Sequence, residues 1–283
     1  MRDQHRTPPS AAAWVLIALA AGFITIMIIL PVASILMMAL RQGWGGLLQA
    51  LTRRETVQAV LLSLWVMAIS LPITAVFGIA AAWAITRFRF PGKKLLLALI
   101  DLPISLSPIV VGLMFILLYG RYGIFGGFLQ GIGVRVIFAP PGLVLTTLFI
   151  LLPLVVRELI PTMQEQGSSE EEAALTLGAR GWRMFWHVTL PNIRWALLYG
   201  LILASARAAG EFGAASVVSG LIRGSTVTLP LQIDIYYNEY MSTMAFASST
   251  IFFGFAGITL AAKQIVGRRL RRELEHKEAA DAA

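Results

Sequence analysis

Gly167-Ser168-Ser169-Glu170-Glu171-Glu172-Ala173-Ala174-Leu175-Thr176-Leu177-Gly178 is the stretch on which the fold turns, because it is a short polar-ended helix set between two long apolar blocks. A serine stands three residues ahead of a glutamate twice over, the capping-box signature of a helix start, and the three acids sit where the positive end of the helix dipole favours them. The helix is therefore expected to begin near Glu170. Ala173, Ala174 and Leu177 make a small apolar face, and Gly178 suits the left-handed position that ends a helix. Two turns are too few to be stable in water alone, so this helix needs a partner surface. Gly181-Trp182-Arg183-Met184-Phe185-Trp186-His187 follows with bulky residues suited to a membrane interface, and Pro191 fits the first turn of the next apolar segment.

Working outward, the flanking segments are long enough to cross a bilayer, which takes roughly 20 mostly apolar residues. Six such blocks are present. Spans are expected near residues 11–40, 57–86, 95–118, 136–156, 192–220 and 240–263, with the capped helix inside a cytoplasmic loop over 157–194. The first two, the fourth and the sixth carry no charge over most of their length; the third carries Asp101, and the fifth carries Arg207 and Glu211. The first block exceeds the roughly 7–15 apolar residues of a cleaved signal and is read as a retained helix. The whole 283-residue chain, 57% hydrophobic and 13% charged with a mean hydropathy of +0.76, reads as one all-α polytopic membrane domain, since a soluble domain carries about 25% charged residues. Pro31, Pro72, Pro103, Pro108 and Pro153 punctuate the spans, as kinked and mutually packed helices allow.

Orientation follows from the lysines and arginines of alternate loops. With the N-terminus inside, sixteen fall in cytoplasmic segments, among them Arg2 and Arg6, Arg87 to Lys94, Arg157 to Arg194 and Lys263 to Lys277. Six fall outside, and Arg207 lies within a span. Both termini are thus expected in the cytoplasm. The tail Arg268, Arg269, Arg271, Arg272 is read as a topology anchor, with a lipid-binding patch as the alternative.

The loop also carries a resemblance. Glu172-Ala173-Ala174, three residues, Gly178, nine residues, then Val188-Thr189-Leu190-Pro191 resembles the EAA motif of bacterial ABC importer permeases, with valine where isoleucine is usual. The resemblance implies the type I importer permease fold in a bacterial inner membrane, and it makes Glu172, Ala173, Ala174, Gly178, Leu190 and Pro191 part of a coupling loop that docks a cytoplasmic ATPase subunit. Ala206 to Ala214, reading Ala-Arg-Ala-Ala-Gly-Glu-Phe-Gly-Ala, with Val217-Val218-Ser219-Gly220 and Leu229-Pro230-Leu231, is similar to the CysW-type sulfate/thiosulfate permease family. Molybdate and tungstate permeases are close relatives and stand as the alternative substrate class. Implied partners are two ATP-binding subunits that hold ATP and magnesium, a second related permease and a periplasmic sulfate-binding protein. No cofactor is expected on this chain, and no nucleic acid.

Intramembrane charges are costly and default to functional candidates. Arg207 and Glu211 are four apart, so on a continuous helix they share a face and pair, with Arg207 about 24 Å from Pro191 at 1.5 Å per residue. Two roles stay open for them: arginine lining an oxyanion pathway with its charge moderated by the glutamate, or an ion pair that fixes packing or gates. Asp101 would repel an anion and is assigned to capping or packing. Arg223, in the loop Arg223-Gly224-Ser225-Thr226, either meets the binding protein or the anion on the outer side, or sits in an exposed turn.

Other chemistries are excluded by residue type. With no cysteine there is no thiol nucleophile or cysteine-held metal, and of three histidines only His187 is internal. Pro91-Gly92-Lys93-Lys94 is the nearest approach to a phosphate-binding loop and lacks its hydroxyl and first glycine, so any ATP hydrolysis belongs to another chain. An ion-coupled carrier or channel would not need the capped helix.

Overall fold

A computed structural model describes residues 10–281; Arg2, Arg6 and the side chains of Arg271, Arg272 and Lys277 lie outside the described residues. Every regular element among those residues is helical: α1 (Ala11–Ala39), α2 (Gly43–Thr52), α3 (Arg54–Arg87), α4 (Lys93–Ser105), α5 (Pro108–Tyr119), α6 (Gly126–Gly131), α7 (Pro140–Gln166), α8 (Ser169–Thr176), α9 (Gly181–Met184), α10 (Leu190–Ala209), α11 (Gly213–Val218), α12 (Leu229–Asn238) and α13 (Ser242–Asp281). Five helical runs, 12–39, 54–87, 140–166, 181–209 and 242–269, are long and apolar enough to cross a membrane, and α4 with α5 forms a sixth bent by 115°.

That bend corrects the straight third span expected over 95–118. Leu106 and Ser107 are extended, with ψ of 145° and 134°. Pro108 forces this, because its ring excludes the residue before it from the helical region, and it then occupies the first turn of α5. The fifth span is also shorter than the expected 192–220: α10 stops at Ala209, the chain turns through Gly210, and α11 starts afresh at Gly213. Conversely the cytoplasmic loop expected over 157–194 is largely helical. Residues such as Arg157 and Glu165 end the apolar window without ending the helical backbone, so α7 continues to Gln166. Hydropathy locates the edge of the lipid, whereas helix ends are set by caps and breakers.

Three helices form the frame on which the rest is hung. α3, α7 and α10 pack together through Ala82, Leu151, Val155, Leu159, Met163, Ile193, Ala196 and Ala204 at the end nearer α8. At the other end Val66, Leu143, Val144 and Ile150 pack with α5, α11 and α12 through Val111, Phe115, Ala215 and Leu231. Close approach of α3 to α7 depends on Gly78, where an added Cβ would lie 2.8 Å from the Val155 Cγ1. Gly78→Leu is accordingly expected to force the two helices apart at a cost of about 1–3 kcal/mol, read as a lowered thermal midpoint of the purified protein, whereas Gly254→Leu, with open space around it, leaves the midpoint unchanged. α1 packs mainly on α13. Its apolar residues Trp14, Leu16, Phe23 and Met27 are otherwise exposed all round, the surface a helix presents to lipid.

Candidate functional site

α8 begins at Ser169, close to the expected start, but the expected capping box does not form. Ser168 turns its hydroxyl onto the Glu172 Oε1 at 2.5 Å and not onto the backbone. A carboxylate is the stronger acceptor and outcompetes the reciprocal cap. The other end follows the sequence pattern closely. Gly178 has φ of +85°, its N–H donates to the Leu175 carbonyl at 3.0 Å, and the Ala179 N–H donates to the Ala174 carbonyl at 2.9 Å. These two bonds make a Schellman motif that stops the helix after two turns.

The outward side of α8 carries bare apolar residues beside the exposed Glu172 and Thr176. Ala173 and Leu175 are exposed and Leu177 is 89% exposed, far from what isolated stability favours. The inward side is held by Glu171, which sequence reasoning passed over as one of three dipole acids. Glu171 is buried; its Oε2 accepts from the Arg87 Nε at 2.7 Å and its Oε1 from the Arg87 Nη2 at 3.3 Å and the Thr189 hydroxyl at 2.8 Å. Arg87, the last residue of α3, also donates from Nη1 to the Met163 carbonyl of α7 at 3.0 Å. Alongside, Glu170 meets the Asn192 side chain, and the Gln166 Nε2 donates to the Asn192 carbonyl at 2.8 Å. The sequence placed Arg87 in a basic cluster on the same side as the loop but carried no sign that it pairs with Glu171.

Leu190 and Pro191 stand in the first turn of α10 as expected, but the helix does not start afresh there. Helix runs on from Gly181, with a π turn over Phe185–Thr189, and the Leu190 N–H reaches back to the Phe185 carbonyl. Pro191 brings no N–H for the ladder, and the π turn absorbs the mismatch in the residues before it. Leu190 is half-buried, Pro191 is exposed, and Trp182, Phe185 and Trp186 form a contacting aromatic group beside them.

Arg207 and Glu211 do meet, with Nη1 2.7 Å from Oε2, but not along one helix as the spacing suggested. Arg207 is in the last turn of α10, and Glu211 lies beyond its end, in the turn that leads to α11. The Glu211 side chain is 5% exposed, and its Oε1 accepts the Ala214 N–H at 2.9 Å, capping α11. One carboxylate thus joins the end of one helix to the start of the next. The guanidinium is about one-third exposed and has donors to spare. Asp101 pairs with Arg157 at 2.8 Å, tying α4 to α7, a packing role as expected from its sign. Arg223 is paired with Glu239, half-exposed, at the end of the bundle remote from α8.

Residues 74–272 match the family described as binding-protein-dependent transport system inner membrane component. The chain belongs to that family. The permease is 45% identical over 260 residues to the sulfate transport system permease protein CysW of Escherichia coli strain K12, covering 92% of this chain and 89% of that one. It is 46% identical over 258 residues to the protein of the same description from Synechococcus elongatus, covering 91% and 90%. The CysT permease of Escherichia coli K12 is similar at 33% identity over 229 residues, covering 81% and 83%. Among solved structures, a bacterial alginate ABC transporter in complex with alginate-bound periplasmic protein superposes with a TM-score of 0.73 at 18% identity, covering 92% of the permease and 95% of that chain, which establishes a shared fold.

Proposed function

We propose that this permease is one membrane subunit of an ATP-driven importer that carries sulfate into the cytoplasm, paired with a CysT-like second permease. Of two ATP-binding subunits, which hold the ATP and magnesium, one docks on the exposed face of α8 and the other on the second permease, and a periplasmic sulfate-binding protein delivers the anion at the opposite end. The observation that carries this is a stopped two-turn helix with Ala173 and Leu177 bare on one side and Glu171 locked into the transmembrane frame on the other, in a chain 45% identical to CysW. Apolar side chains exposed on so short a helix are explained by a protein partner. Glu172, Ala173, Ala174 and Gly178 belong to that docking helix, and Leu190 and Pro191 to its connection with α10.

Arg207 offers its remaining donors to the passing oxyanion, while Glu211 holds the guanidinium in place and offsets its charge. Weak contact of this kind lets an anion leave as readily as it enters. Arg223 meets the binding protein or the released anion on the outer side.

Substrate is tested by uptake of labelled sulfate in cells lacking their own permease, with thiosulfate, molybdate and tungstate as competitors. Sulfate and thiosulfate are expected to compete at similar concentrations; molybdate acting at far lower concentration would move the assignment to that anion. Orientation is tested on the same cells, because a chain without cysteine gives no background labelling. A cysteine replacing Leu177 is expected to react with an impermeant thiol reagent only after the inner membrane is opened, and one replacing Tyr122, 95% exposed at the other end, to react without opening it.

A further inference from the structure

We propose that Arg87 and Glu171 are positioning residues that pass the displacement of α8 into the transmembrane helices, so that ATP hydrolysis moves the pathway only while this pair is closed. The proposal rests on the ATP-driven reading above. Docking at the outward face of α8 explains how force reaches the loop but not how it leaves.

Four segments converge on one ion pair, α7 through Arg87 and the junction with α10 through Glu171. Glu171 projects from the first turn of α8, Arg87 ends α3, Met163 lies in α7 and Thr189 stands at the junction with α10. α3, α7 and α10 are the three helices of the central frame. A contact to one of them would let the others lag, whereas this one engages all three through a two-pronged guanidinium and a single hydroxyl.

Stiffness comes from geometry. The Arg87 and Glu171 side chains are only 15% and 10% exposed, so water does not compete for the pair as it does for surface ion pairs. Two N–H donors of the planar fork fix the angle between Arg87 and the carboxylate as well as its distance. Elsewhere α8 is bound more loosely. Glu172 is tied to Ser168, and Glu170 and Asn192 meet on the exposed rim. The hinge-like residues beside α8, Gly167 at φ +64° and Gly178 at φ +85°, leave the backbone links at both ends compliant, so the side-chain tie is the direct mechanical route.

The test uses the full importer, reconstituted with its ATP-binding subunits and sulfate-binding protein. Glu171→Gln keeps the shape and the hydroxyl contact while removing the charge. The variant is expected to retain its ATP-binding subunits and at least half of the wild-type ATP hydrolysis, while sulfate uptake falls at least tenfold. The chain's lack of cysteine supplies a rescue. In the Arg87→Cys, Glu171→Cys double variant uptake is low, and bridging the two thiols with a short bifunctional reagent is expected to bring it back to within threefold of wild type. Uptake and hydrolysis falling in proportion, loss of the ATP-binding subunits, uptake within twofold of wild type in Glu171→Gln, or a bridge that restores nothing would each overturn the proposal. Failure of the ATP-driven reading itself would show in the unmodified permease, as uptake that proceeds without ATP.

Discussion

Replacing Leu177 by aspartate is expected to strip the permease of its ATP-binding subunits while leaving it inserted and folded. Leu177 makes little use of its side chain within this chain, being 89% exposed just beyond the last turn of α8, so its loss costs the isolated permease almost nothing. Seated in a partner groove it would bury a leucine side chain, about 1.5–3 kcal/mol, and aspartate adds the cost of desolvating a charge. With about 1.4 kcal/mol per factor of ten, affinity is expected to fall at least about 100-fold. Co-purification of the tagged subunits reads the association, and protease resistance of the permease reads its fold. Removal of residues 172 to 178 is expected to abolish association outright. Retention of the subunits by both variants would show that α8 is not where they bind, and that the bare leucines face lipid.

α8, the proposed docking helix, was legible because its signals are local. Three consecutive acids, two alanines and a glycine at fixed spacing set the start, face and stop of α8 within twelve residues, and the Gly178 geometry follows them. Its anchor was not legible. Glu171 and Arg87 are eighty-four residues apart, and nothing in either neighbourhood reveals that α3 and α8 end side by side. The same holds for the far end of the bundle. A four-residue spacing located Arg207 and Glu211 as partners, but a continuous helix was the wrong carrier: Gly210 ends α10 and Glu211 folds back as the cap of α11. Hydropathy found six apolar blocks yet smoothed over the break at Leu106-Ser107, because a window average registers composition and is blind to the backbone restriction that Pro108 imposes.

That misread carrier bears directly on what Glu211 does, and neutralising it separates the two roles the pair could have. Glu211→Gln preserves an oxygen for the Ala214 N–H, so the cap of α11 survives, while Arg207 loses the charge 2.7 Å away. At an effective dielectric of about 20, removing a negative charge about 5 Å from a passing sulfate dianion relieves a repulsion of at most about 7 kcal/mol. A pathway built on weak contacts would then hold its cargo. Labelled sulfate, expected to bind the purified wild-type importer negligibly in the absence of the binding protein, is expected to bind Glu211→Gln measurably, and ATP-driven uptake to fall about tenfold because release becomes slow. Glu211→Ala differs in kind. It orphans the buried Ala214 N–H, costing about 1–3 kcal/mol, and should lower the thermal midpoint where Glu211→Gln barely does. If the pair serves packing alone, both variants lose stability, neither gains sulfate, and uptake tracks the amount of folded protein. Sulfate retention with an intact fold is an outcome that packing cannot produce, since only a guanidinium facing the route of the anion converts a lost carboxylate into a trap.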